Sequence, residues 1–85
     1  MNIKVLYFAR LKEVVNYSAE DLNLPSGVNN VLALKQFLAK RGDNWTHLFS
    51  GKQVVRAAIN HELVDDAAII NAGDEAAFFP PVTGG

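Results

Sequence analysis

The run FFPPVTGG at residues 78–85 holds the chemistry most open to this chain, and that chemistry belongs to the main chain. Pro80 and Pro81 cannot donate to a sheet ladder and hold the backbone near an extended, polyproline-like path. Extended in this way, residues 80–85 reach on the order of 20 Å. Gly84 and Gly85 carry no side chains, so the end is slim and its terminal carbonyl is unhindered. Such an end suits delivery of the α-carboxylate into another protein's active site through a narrow tunnel. A carboxylate is a poor electrophile. Joining it to the α-phosphate of a nucleotide gives an acyl adenylate, which splits one difficult substitution into two easier ones. Sulfur attacking that carbonyl leaves a terminal thiocarboxylate, an anionic nucleophile near neutral pH.

The side chains offer little competition as reagents. Cysteine is absent, which excludes a disulfide framework, a thiolate metal site and a side-chain thiol nucleophile. His47 and His61 have no spacing that suggests a metal pair and read as surface or turn residues. No Gly-rich phosphate loop and no Ser/His/Asp set stands out. Eight Lys/Arg and nine Asp/Glu are scattered along the chain, for a net charge of −1. That balance gives no electrostatic reason to expect nucleic acid or an anionic membrane. The start MNIKVLYFARLKE has charges where a signal peptide needs an apolar core, and no apolar run approaches a membrane span. A cytoplasmic location is the expectation.

A tail needs a body to hold it. Eighty-five residues, 49% hydrophobic and 20% charged, make one domain with one modest core. Residues 2–9, NIKVLYFA, are β-branched and aromatic enough for a first strand, with Ile3, Val5 and Tyr7 inward and Lys4, Leu6 and Phe8 outward. Residues 10–16 predict a short helix or turn gripping the core through Leu11, Val14 and Val15. A second strand over residues 20–24 stops at Pro25-Ser26-Gly27 and pairs with the first as an antiparallel hairpin. The clearest helix spans residues 31–41, capped by Asn30 and ended by a left-handed Gly42. Its stripe is Val31, Leu34, Phe37, Leu38 and Arg41. Trp45, Leu48 and Phe49 predict a shorter helix tucked against the core, with Trp45 as a plug. Residues 54–60 form a strand, His61-Glu62 a turn into Leu63-Val64, and residues 71–74 a turn. The last strand covers residues 75–79, with Ala76 and Phe78 inward and Glu75, Ala77 and Phe79 outward. Burying Phe37, Leu38 and Phe78 contributes about 1.5–3 kcal/mol each. The order predicts an α+β domain over residues 1–79, a mixed four- to five-stranded sheet packed on one main helix. Residues 80–85 follow as an extended, flexible C-terminal tail.

The start IKVLYFA, the turn Gly73-Asp74 before EAAFF, and above all FFPPVTGG resemble the small, sulfur-carrier subunit of molybdopterin synthase across essentially the whole chain. A bare Gly-Gly end is shared with ubiquitin-like modifiers and with the thiamine-pathway sulfur carrier, whose tail usually lacks the FFPPV approach. The resemblance implies the ubiquitin-like β-grasp fold. It also implies two partners and no permanently bound cofactor. An E1-like adenylyltransferase consumes ATP to adenylylate Gly85, which is then converted to a thiocarboxylate. The large synthase subunit admits the tail, and the sulfur passes to cyclic pyranopterin monophosphate, building the dithiolene that holds molybdenum. By the same resemblance Gly85 bears the sulfur, and Pro80, Pro81, Val82, Thr83 and Gly84 form the threading arm. Two small and two large subunits make the implied heterotetramer, and the side chains that handle the pterin belong to the large subunit.

Outside the tail, Phe8 and Phe79 fall on the sheet face that Lys4 and Glu75 mark as solvated. They predict an apolar docking patch, with Leu63 as a third member. The bland alternative packs both under the turn at residues 10–16. Two other function classes use the same terminus differently. A protein modifier has its activated end captured by a lysine amine, and a β-grasp interaction module never activates its tail.

Overall fold

The computed structural model describes residues 1–51 and 53–81. Five strands form one sheet: β1 Asn2–Tyr7, β2 Ala19–Asn23, β3 Arg56–Ile59, β4 Glu62–Val64 and β5 Glu75–Phe79. Three helices accompany them, α1 Arg10–Val15, α2 Val31–Ala39 and α3 Asp43–Phe49. The strands lie in the order β2-β1-β5-β3-β4. β1 and β5 are parallel, and every other neighbouring pair is antiparallel. A parallel pair cannot be closed by a tight turn, so the whole middle of the chain serves as its crossover. The sheet and its helices fall within residues 2–79; of the tail expected over residues 80–85, Pro80 and Pro81 are described and residues 82–85 lie outside the described ones.

Alternation decides which side of the sheet becomes core. Ile3, Val5 and Tyr7 of β1, Ala57 and Ile59 of β3, and Ala76 and Phe78 of β5 are buried. α2 lays Val31, Leu34 and Leu38 onto that face, each fully buried, and α3 adds Trp45, Leu48 and Phe49. Phe78 is the hub of the aromatic packing: Tyr7 stacks 6.3 Å from it and Phe49 meets it edge-on at 5.2 Å. Phe37, expected in the core, is only half-buried, because it lies at the side of the stripe that Leu34 and Leu38 centre.

The cap at Asn30 is formed as expected, its Oδ1 accepting from the Ala33 amide at 2.8 Å. The helix end differs. α2 stops at Ala39, and the Lys40 and Arg41 amides close a tighter turn on the Phe37 and Leu38 carbonyls at 3.3 and 3.1 Å. Arg41 is drawn out of the helix by Glu20 of β2, to which it donates twice, at 2.8 and 3.1 Å. Its guanidinium also lies 4.2 Å from the Trp45 ring centroid. Gly42 therefore does not end α2 in the left-handed helical region. With φ 155 and ψ 177 it starts α3 in a region that only glycine occupies readily.

Two other boundaries contract. β1 ends at Tyr7 because Ala9 turns the chain at φ 56, and β3 starts at Arg56 because the ladder to β5 begins there. The β3–β4 turn is Asn60-His61, both at positive φ (50 and 72), as a two-residue hairpin of the right twist requires. Asn60 also clasps the start of β5. Its Nδ2 donates to Asp74 Oδ1 at 2.9 Å, and its Oδ1 accepts from the Glu75 amide at 3.0 Å. Asp74 Oδ2 accepts from the Asn71 amide at 2.8 Å.

Two predictions follow from these bonds. The buried Tyr7 hydroxyl donates to Glu20 Oε2 at 2.7 Å, and burial first, then this bond, raises its pKa. Tyr7→Phe is expected to lower stability by about 1–2 kcal/mol, read as an earlier urea midpoint. The bonds from the Asn71 amide and Asn60 hold the Asp74 carboxyl below its ordinary value. The depressed group adds stability above its unfolded pKa of about 3.9, and that stability is lost as pH falls through the lower folded value. The stability gap between wild type and Asp74→Asn should be constant near neutrality and close at pH below about 4. A gap unchanged in acid would show that the Asp74 charge is not involved.

Candidate functional site

β5 is the strand from which the tail leaves, and it lies at the centre of the sheet, paired on both sides. On one side Lys4, Val5, Leu6 and Tyr7 face Glu75, Ala76, Ala77 and Phe78 in order. On the other, Arg56, Ala57, Ala58 and Ile59 face Phe79, Phe78, Ala77 and Ala76. One further bond carries the first pairing past β1, from the Phe8 amide to the Phe78 carbonyl at 3.0 Å. The chain then passes Pro80, half-buried, and Pro81, exposed. Val82, Thr83, Gly84 and Gly85, the rest of the expected arm and its reactive end, lie outside the described residues.

The register assembles a surface that no single strand contains. Residues directly opposite one another share a face, so Ala19, Leu6, Ala77, Ala58 and Leu63 form one row across all five strands on the side away from the helices. Phe8, Phe79 and Arg56 form the next row, toward the tail. Asp21, Lys4 and Glu75 form the row at the far end, where His61 Nε2 lies 3.5 Å from Glu75 Oε2. The open face is thus apolar beside the tail and charged away from it.

The three docking residues expected from sequence fall within this band. Phe8 is 48% and Leu63 57% exposed, so the alternative that buries Phe8 under α1 does not hold. Phe79 is half-buried, because a central strand has neighbours on both flanks, with Arg56 directly opposite. Sequence reasoning missed Ala58 and Arg56. Alternation places them, but only the β3–β5 pairing brings them beside β5. His47 and His61 are exposed and apart, His47 Nε2 lying 2.7 Å from Gln53 Nε2. Among the described residues no group of three His, Asp or Glu side chains is placed to hold a metal ion, and no helix is long and apolar enough to cross a membrane. What the described residues present is an apolar open face, a central strand paired on both sides and the two prolines that follow it.

The ThiS family model matches residues 5–85. The molybdopterin synthase sulfur carrier subunit of Escherichia coli (strain K12) is 40% identical over 83 residues, covering 98% of this chain and 99% of that protein. The chain belongs to the ThiS family, among its molybdopterin synthase sulfur carrier subunits. Among solved structures, a putative molybdopterin converting factor subunit 1 from Pyrococcus furiosus superposes with a TM-score of 0.78 at 27% identity. It covers 96% of this chain and 99% of its own. A complex of subunits 1 and 2 of the molybdopterin-converting factor from Helicobacter pylori matches with a TM-score of 0.68 at 22% identity, over 100% of both chains. At that identity the match speaks for the fold alone. The α+β fold expected from the element order, which the resemblance made ubiquitin-like, is the one observed, and in this ThiS-family chain the family match runs through the Gly-Gly end.

The exposure pattern makes a measurable distinction within the band. Phe8→Ser and Leu63→Ser should each change folding stability by less than about 0.5 kcal/mol. Phe79→Asp, at a half-buried position, should cost about 1–2 kcal/mol. Thermal unfolding of the three variants checks the order, and equal losses at all three would contradict it.

Proposed function

We propose that the chain is the sulfur-carrier subunit of molybdopterin synthase and that its working group is the Gly85 carboxylate. The observation that carries this reading is FFPPVTGG continuing directly from a central strand held on both sides. An E1-like adenylyltransferase joins the Gly85 carboxylate to the α-phosphate of ATP and releases pyrophosphate. A sulfur nucleophile then attacks the carbonyl and expels AMP, leaving the thiocarboxylate. The large synthase subunit admits the arm Pro80, Pro81, Val82, Thr83 and Gly84. The thiocarboxylate sulfur attacks a carbon of cyclic pyranopterin monophosphate and displaces the oxygen substituent on that carbon, and water then cleaves the acyl–sulfur bond, restoring the Gly85 carboxylate and leaving the sulfur on the pterin.

This chain's own contribution is mechanical. The paired β5 fixes the arm's origin, and the two prolines carry it outward with little conformational freedom to lose. The band of Phe8, Phe79 and Leu63 docks on the partner. The same activated terminus also fits a protein modifier or the thiamine-pathway carrier, and both differ from the first reading in what accepts the acyl group or the sulfur.

Reconstitution with the large subunit and the pterin precursor tests the proposal. Thiocarboxylated full-length chain is expected to give dithiolene product with two chains consumed per pterin, and a chain lacking Gly85 none. Equal product from both would remove the terminus from the mechanism. The intact mass of chain isolated from its native cell separates the alternatives, since a carrier exchanges one oxygen for sulfur whereas a modifier appears as lysine-linked adducts.

A further inference from the structure

Tyr7 is buried, and Phe8, the next residue, is 48% exposed on the open face. Leu11, three positions on, is buried again as part of the core. The chain therefore has two residues in which to leave the outer face of the sheet and return inward. Ala9 makes the reversal. Its φ of 56 and ψ of −131 are those of the first central position of a type II′ turn. The Leu11 amide closes that turn on the Phe8 carbonyl at 3.2 Å. Glycine ordinarily holds the position, because a Cβ is crowded there. The other non-glycine residues with positive φ among the described ones are Asn16, Asn60 and His61, types that enter the left-handed region more readily.

Both ends of the turn are held. The Phe8 amide donates to the Phe78 carbonyl at 3.0 Å, which carries the β1–β5 ladder one residue further. On the other side Leu11 and Val15 anchor α1 in the core, and the Ala9 carbonyl accepts from the Glu13 amide at 3.4 Å as the helix begins. A strained residue persists only where its surroundings over-determine it. An extended residue 9 would carry the chain straight on, and either Leu11 would leave the core or Phe8 would leave the Phe78 carbonyl. The turn thus keeps two side chains in place. One is a buried leucine. The other is an exposed phenylalanine, which gives the folded domain little burial in return.

We propose that Ala9 is a positioning residue for docking: its left-handed turn sets the Phe8 ring on the open face, in the row of Phe79, before the large synthase subunit arrives. A ring set in advance has less motion to lose when the partner covers it. Ala9 itself need not touch the partner, since it acts through Phe8. This rests on the reading of Phe8 as a member of the docking band.

Binding to the purified large synthase subunit, measured by titration calorimetry where circular dichroism shows each variant folded, tests the assignment. Ala9→Val, β-branched and so resistant to positive φ, is expected to weaken binding about tenfold, or about 1.4 kcal/mol. In that variant the Phe8 amide should exchange its hydrogen faster, while the Tyr7 amide, bonded to the Ser18 carbonyl at 3.0 Å, stays protected. Ala9→Gly reaches the same turn without strain and should keep binding within about twofold of wild type. The deciding readout is a double-mutant cycle, because a merely structural role leaves the two positions uncoupled in binding. In a Phe8→Ser background, Ala9→Val should cost nothing further. Should Ala9→Val not fold, Ala9→Thr, whose hydroxyl suits an exposed position, takes its place. The inference is overturned if the folded β-branched variant binds as wild type, if its loss persists in full beside Phe8→Ser, or if Ala9→Gly also loses tenfold. Phe8→Ser binding as wild type would overturn the docking band and this inference with it, whereas the role of the terminus is decided separately by the chain lacking Gly85.

Discussion

The pairing of β5 with β1 on one side and β3 on the other is the constraint on which the rest of this molecule depends. A strand at the edge of a sheet is held by one ladder and frays with it. A central strand is held by two and buries its inward residues beneath the helices. Ala76 and Phe78 are fully buried, so β5 cannot shift by one residue without exchanging Phe78 for Phe79 in the core. Pro80 and Pro81 therefore follow from a fixed point.

Closure of the core at the α2 end uses polar groups. Tyr7, Glu20 and Arg41 come from β1, β2 and the end of α2, and they meet as hydroxyl, carboxylate and guanidinium. The bond to Glu20 holds the guanidinium firmly charged, while burial first and then its own bond to Glu20 hold the phenol firmly neutral. With Trp45 under the guanidinium, one cation is satisfied by a carboxylate and a ring face together. The arrangement leaves no buried side-chain polar atom without a partner among the described residues. It also fixes where α2 ends, and hence where α3 brings Trp45 and Phe49 to Phe78.

The two faces of the sheet divide the labour. The helix face is packed with large side chains, and the open face carries alanines at its middle: Ala19, Ala77 and Ala58, with Leu6 and Leu63 among them. Small residues in a row leave the face flat, and the two phenylalanines and Arg56 stand at its tail side. The apolar band and Pro80 thus share one end of the domain. The charged row of Asp21, Lys4 and Glu75 marks the opposite end, where water remains the better neighbour.

Sequence by itself determined much of this. Alternation fixed the inward set Ile3, Val5, Tyr7, Ala76 and Phe78, because a period of two leaves no choice once Lys4 and Glu75 are placed in water. The bounds of β5 were legible, since a turn precedes it and prolines follow, and so were the Asn30 cap and the short helix around Trp45. The resemblance carried by FFPPVTGG gave the family. Tertiary structure alone decided what depends on contacts between distant residues. Glu20 lies 21 positions from Arg41, and only their bond explains why α2 stops early and Gly42 takes its unusual φ. Ala58 and Arg56 come beside β5 on the open face only through the β3–β5 register, which strand patterns do not encode. The physical reason is the range of the forces involved: periodicity and capping act within a few residues, whereas ladders and ion pairs join whatever the fold brings together.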